Sequence, residues 1–177
     1  MKLLLTSAGL TNASIRAALV DLVGKPIADI GGLCIPTAAY GHPMGTPIGA
    51  WRFISGQRPS NPMCELGWKS LGVLELTALP SISPGRWVPW VRRQTCCWSA
   101  GATPSTWLTM RQSGLADLLP SLPEKVWVGM SGGSMVMTPR IGQEFVGWQP
   151  PTGGDEALGR WVSLTSRYFR TSITRPP

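Results

Sequence analysis

The sequence predicts an α/β fold, a mainly parallel sheet whose strands are joined by helices. Three observations predict it. Short apolar runs alternate with stretches of helical spacing through the first half, the rhythm of strands joined by crossover helices. A strong apolar run from Lys125 to Met130 leads directly into the small-residue turn Ser131-Gly132-Gly133-Ser134. Apolar residues make up 43% of the 177 positions and charged residues only 14%, which suits one globular core and not a disordered chain.

The elements follow in order. Lys2 to Ser7 reads as a first strand ending in a small-residue turn. Thr11 or Asn12 can cap a helix whose apolar positions Ile15, Ala18, Leu19 and Leu22 keep helical spacing, with Gly24 closing it. Leu33 to Pro36 reads as a second, buried strand, followed by a glycine- and proline-rich loop over roughly Thr37 to Pro47. A short helix is expected from Met63 to Leu71 and a third strand from Val73 to Leu76. Helices are expected over Trp87 to Arg92 and Met110 to Leu119. Helix resumes at Met135-Val136-Met137, after the turn.

Two segments break this rhythm. Arg93 to Thr103 stands where a strand and loop are due, yet lacks a period of two. The stretch from Gly159 to Pro177 has neither strand nor helix pattern, so residues 1–158 are expected to form a single domain and 159–177 an atypical basic tail.

Charge and cysteine content exclude several classes. The net charge is +7, and the tail supplies four of those charges through Arg160, Arg167, Arg170 and Arg175 without an acid. The rest is close to balanced, with no basic stripe interleaved with aromatics, so no nucleic-acid partner is expected. Cys34, Cys64, Cys96 and Cys97 show no C-x-x-C spacing, and His42 is the chain's one histidine, so neither a metal site nor a cofactor is expected. Free thiols in a reducing compartment are the simplest reading. The apolar run at the start stops at Thr6-Ser7, short of the roughly 7–15 residues of a secretory signal. No run approaches the roughly 18 apolar residues of a membrane span. A cytoplasmic protein without a membrane partner is expected.

Chemistry concentrates in Gly129-Met130-Ser131-Gly132-Gly133, the G-x-S-x-G pattern between a strand and a helix. Such an elbow holds its serine on a sharp turn, where neighbouring side chains would collide with strand or helix. Backbone N–H groups beyond it, that of Gly132 among them, can then face a developing oxyanion. The same pattern also occurs in glycine-rich turns that do no chemistry.

Met1 to Ser7, Thr11-Asn12-Ala13-Ser14-Ile15, Ile35-Pro36-Thr37-Ala38, Glu65-Leu66-Gly67-Trp68 and Gly129 to Ser134 together resemble the dipeptidase E (aspartyl dipeptidase) family of serine peptidases, which is glutamine-amidotransferase-like. The resemblance covers roughly residues 1–92 and 110–158. It implies a flavodoxin-like three-layer sandwich with a mainly parallel sheet and a nucleophile elbow after a central strand, Ser131 as nucleophile, and cleavage of small peptides, typically dipeptides with N-terminal aspartate. It also implies a histidine base after the next strand and a glycine-rich loop, after the strand before the elbow, that helps shape the oxyanion hole; neither is present in recognisable form, and Gly101 joins Gly132 and Gly133 as the candidates for that hole. Glu144 best matches the acidic triad member; a solvated carboxylate is the competing reading. Gly132 stands where the family has alanine. No histidine follows Ser131, so the base is either absent or His42, whose place in the long loop favours a loop or substrate-side role over that of base.

Both odd segments have one candidate cause. Thr95 to Pro104 can be encoded so that the neighbouring frame reads Asp-Val-Leu-Leu-Val-Ser-Gly-Gly-Asp-Pro, a buried strand and glycine loop. The same shifted frame over Trp161 to Arg175 restores a strand and the family's Pro-His pair. A frame-disrupted member of the family is therefore expected. Three functions compete: a serine peptidase acting on a small peptide, a non-catalytic relative or binding module, and an α/β-hydrolase esterase. The last shares the elbow but needs the same missing histidine. A glutamine amidotransferase proper would carry cysteine at position 131. The sequence leaves the oligomeric state open between monomer and homodimer.

Overall fold

The structure is a computed structural model that describes residues 1–40, 46–56, 62–101 and 105–137. Five parallel strands form one sheet in the order β1-β5-β4-β2-β3. They are β1 (Lys2–Thr6), β2 (Gly31–Ile35), β3 (Ser70–Val73), β4 (Cys96–Gly101) and β5 (Val126–Ser131). Around them lie α1 (Ala13–Val23), α2 (Thr37–Tyr40), α3 (Pro47–Ile54), α4 (Pro62–Glu65), α5 (Pro84–Arg93), α6 (Ser105–Gln112), α7 (Leu115–Leu118) and α8 (Gly132–Met135).

The sheet is packed on both faces. In β2, Leu33 and Ile35 join one hydrophobic cluster and Cys34 the other; in β5, Trp127 points one way and Val126 and Val128 the opposite way. This is the two-residue period of a pleated strand read on both sides. Leu19 of α1, Ile54 of α3 and Met63 of α4 cover the face of Cys34 and Val128. Trp87 and Val91 of α5, Met110 of α6 and Leu115 of α7 cover the face of Leu33 and Trp127. The expected three-layer α/β sandwich with a parallel sheet is what the chain forms.

Local chemistry accounts for most boundaries. Asn12 caps α1 by accepting from the Ile15 amide, and Gly24 closes it with φ +75°. Arg93 to Thr103, with no period of two, contains the central strand β4; Cys96 and Cys97 are both buried, on opposite faces, so alternation has no polar side to reveal.

Four expectations need correction. The third strand is Ser70–Val73 and not Val73 to Leu76, because Glu75 accepts from the Thr77 amide and caps a 3-10 turn over Leu76–Ser81. The helix expected to reach Leu71 stops at Glu65, and Gly67 reverses the chain with φ +73°. Met110 to Leu119 is not one helix, since Gly114 at φ +78° separates α6 from α7. The Thr37 to Pro47 stretch is a loop only in part: Thr37–Tyr40 is helical, and Pro47 opens α3, with Thr46 accepting from the Gly49 amide.

The connections part at the carboxyl ends of β1 and β5. The chain leaving β1 packs on the face of Val126 and Val128 through Leu10 and α1. The chain leaving β5 packs on the opposite face through Val136 and Met137. Neighbouring strands whose continuations part to opposite faces open a cleft at their carboxyl ends, the usual place for a site in an open α/β sheet.

Candidate active site

Ser131 ends β5 at the carboxyl end of the sheet and is exposed. Its backbone is at φ 53° and ψ −122°, and it is the one non-glycine residue with positive φ among the described residues. Such a conformation costs on the order of 1–3 kcal/mol and persists only where the surroundings over-determine it. Here α8 turns straight out of the strand and folds back over it. The helix starts at Gly132, earlier than the sequence pattern at Met135 suggested.

Close packing explains the two outer glycines of the motif. A Cβ on Gly129 would lie 2.6 Å from the Cα of Ser134 and 2.7 Å from the carbonyl oxygen of Gly133. A Cβ on Gly133 would lie 2.0 Å from the carbonyl oxygen of Ser99 in β4. Both obstacles are backbone, which cannot step aside as a flexible side chain can. The turn therefore brings α8 against β5 and β4 at van der Waals contact, and only glycine fits at either position.

Hydrogen bonds fasten the turn to β1. Ser134 Oγ accepts from the Thr6 amide at 3.0 Å and donates to the Thr6 carbonyl at 2.7 Å. The Thr6 hydroxyl donates to the Gly129 carbonyl at 2.8 Å and accepts from the Gly9 amide at 2.9 Å. From beneath, the buried Trp127 indole donates to the Gly133 carbonyl at 3.0 Å. Ser99 also lies under α8, fully buried, and its hydroxyl is the one buried side-chain polar atom without a partner among the described residues.

The amides of Gly132 and Gly133 open α8 and have no acceptor within it. With a single described turn, α8 contributes little macrodipole, so an oxyanion here would depend on individual N–H groups. Gly101 pairs with Ser131 across β4 and β5, which sets the end of β4 beside the elbow. Of the predicted site residues, the structure thus brings together Ser131, Gly132, Gly133 and Gly101. His42 and Glu144 lie outside the described residues, as does the 159–177 tail.

A polar cluster at the same edge of the sheet was missed in the sequence. Glu75 Oε1 accepts from the Thr37 hydroxyl at 2.8 Å and the Thr77 hydroxyl at 2.9 Å, and Oε2 accepts from the Tyr40 hydroxyl at 2.5 Å. Burial pushes the Glu75 carboxyl up, but the bonds from Tyr40, Thr37 and Thr77 outweigh it and hold the group below its ordinary value. Burial, and then the bond to Glu75, push the Tyr40 phenol well up. Both groups keep their pH 7 charge states, which makes the cluster a fixed brace joining the ends of β2 and β3. The available signal was an acid inside the apolar run Val73-Leu74-Glu75-Leu76.

Cys96 and Cys97 are not a second nucleophile. Both are buried, and burial pushes the Cys96 thiol well up and the Cys97 thiol up to about 12 despite nearby Lys125. A reactive cysteine needs a thiolate, and these remain thiols. Among the described residues no group of three His, Cys, Asp or Glu side chains could hold a metal ion, and no helix is long and apolar enough to cross a membrane. No protein-family model matches this chain, and a comparison with curated proteins returns no match.

Proposed function

We propose that this chain carries a serine-peptidase scaffold of the dipeptidase E kind, with Ser131 as nucleophile toward the carbonyl of a small peptide. The observation that carries the reading is the Ser131 backbone at φ 53°, held at a strand-to-helix turn that admits only glycine at 129 and 133. A non-glycine residue kept in so sparse a region is a hallmark of functional sites.

In the reaction, Ser131 Oγ bonds to the carbonyl carbon while its proton passes to a base, and the oxyanion faces the Gly132 N–H. Collapse breaks the C–N bond, with the proton returned to the leaving amine. Water then hydrolyses the acyl ester and regenerates the hydroxyl. The substrate class, dipeptides with N-terminal aspartate, follows from the resemblance, and a cytoplasmic location fits thiols kept reduced at Cys96 and Cys97. The domain of this reading spans residues 1–158, with 159–177 a basic tail after it.

The base is the weak point. His42 is the chain's one histidine and lies before the elbow, and Glu144 is the candidate acid. Losing a triad member lowers rates by several orders of magnitude and leaves weak residual catalysis. That shortage favours a second reading, a relative that keeps the sheet and elbow but binds peptides without cleaving them. Fluorophosphonate labelling tests the nucleophile: Oγ displaces fluoride from phosphorus, and the label should vanish in Ser131→Ala. A wild-type chain that takes no label sinks the nucleophile role and leaves the binding reading. Turnover of Asp-Xaa dipeptides against simple esters separates peptidase from esterase.

A further inference from the structure

We infer that Ser134 and Thr6 are positioning residues that aim Ser131, an assignment that rests on the nucleophile reading for its catalytic consequence. The elbow has to be held from outside its own strand, because positive φ at Ser131 is unfavourable in isolation. Glycine contacts fix how closely α8 approaches the sheet, but they are non-directional and leave rotation of the turn open. The directional restraints are hydrogen bonds, and Ser134 and Gly133 of α8 are held in this way by Thr6 and Trp127.

One hydroxyl does the work of a strand neighbour. Ser134 Oγ both accepts from and donates to the backbone of a single residue, Thr6, 128 positions earlier in the chain. Thr6 is the last residue of β1 and is in register with Met130, the residue before the nucleophile. Its hydroxyl meanwhile ties the Gly129 carbonyl to the Gly9 amide. Residues on both sides of Ser131, at 129 and 134, are thus locked to the same residue of the adjacent strand. Rotation of the turn would strain the three bonds that reach it from Thr6 together, so the clasp sets the direction of Ser131 Oγ and the Gly132 amide.

The test compares the full-length wild type with Ser134→Ala, Ser134→Thr and Thr6→Val by amide hydrogen exchange and by the rate of fluorophosphonate labelling. Ser134→Ala is expected to speed exchange at Thr6, Gly132 and Gly133 about ten-fold, while Leu33 and Cys97 in the sheet centre keep wild-type protection. Labelling of Ser131 should slow about ten-fold or more, and Ser134→Thr, which keeps the hydroxyl, should restore both readouts. Thr6→Val should loosen Gly9 and the elbow amides together. Unchanged exchange at the elbow in Ser134→Ala overturns the inference, as does labelling at the wild-type rate despite faster exchange. If the wild type takes no label, the nucleophile reading fails and the exchange arm alone decides whether the clasp holds the turn.

Discussion

The buried hydroxyl of Ser99 should make β4 weaker than its place in the sheet requires, and removing it should stabilise the protein. Ser99 is fully buried beneath α8, and its Oγ has no partner among the described residues. An unsatisfied buried hydroxyl costs about 1–3 kcal/mol. Ser99→Ala removes that penalty and leaves a void smaller than a methyl group, which at about 24 cal/mol per Å³ returns only a few tenths of a kcal/mol. The net expectation is a gain of about 1–2 kcal/mol, read as a higher urea midpoint with an unchanged slope. Ser99→Val adds a second test, because Thr95 to Pro104 can be encoded so that the neighbouring frame reads valine at this position of the strand. If β4 is a displaced reading of an apolar strand, valine should be tolerated at least as well as alanine. The opposing cost is overpacking, since a Cβ on Gly133 would already lie 3.0 Å from the Ser99 Cβ. Loss of stability in Ser99→Ala would refute the penalty and imply a bound water satisfying the hydroxyl. Loss confined to Ser99→Val would remove the physical support for a frame-shifted β4.

Two further outcomes follow from strain and charge. Ser131→Gly should raise stability by about 0.5–2 kcal/mol, the relief of about 1–3 less the extra flexibility of glycine, about 0.5–1; Ser131→Ala keeps the Cβ and should stay near wild type, so equal urea midpoints for the two variants would deny the strain. Glu75 has a lowered carboxyl value in the folded chain, so its stabilisation is present above the ordinary value of 4.5 and is lost as pH falls through the folded value. Glu75→Gln should therefore cost about 1 kcal/mol at pH 7, discounted for partial exposure, and the gap to wild type should shrink in urea melts below pH 4.

Parts of this fold are legible in the sequence because short-range chemistry fixes them. Asn12 and Gly24 bracket α1 as their capping preferences require, and the run into Ser131 gives strand and turn at once. Where the reading slips, a single residue has two uses. Glu75 sits in an apolar run that suggests a strand, but its carboxylate caps a turn and gathers Thr37 and Tyr40 from the neighbouring strand's end. That second use depends on the order of β2 and β3, which spacing along the chain does not encode. Likewise Ser134 reads as an ordinary small residue after an elbow, and its partner Thr6 lies at the other end of the described chain. Contacts set by sheet order are invisible until the sheet is assembled.

The same distinction bears on what this chain retains. The elbow depends on Gly129, Gly133 and Ser134, on Thr6 from β1, and on the Ser99 backbone, not its side chain. A displaced reading through β4 changes side chains but still supplies a peptide backbone that can pair, and β4 does pair with both β2 and β5. Side-chain quality then falls on stability, through Ser99, while the geometry of the turn is inherited from backbone contacts. Catalysis has no such tolerance, because a base is a side chain in one place. A chain altered in this way keeps the aim of Ser131 longer than it keeps the group that would take the serine's proton. Labelling at Ser131 and peptide turnover should therefore separate in this protein, with the first surviving at a reduced rate where the second is lost.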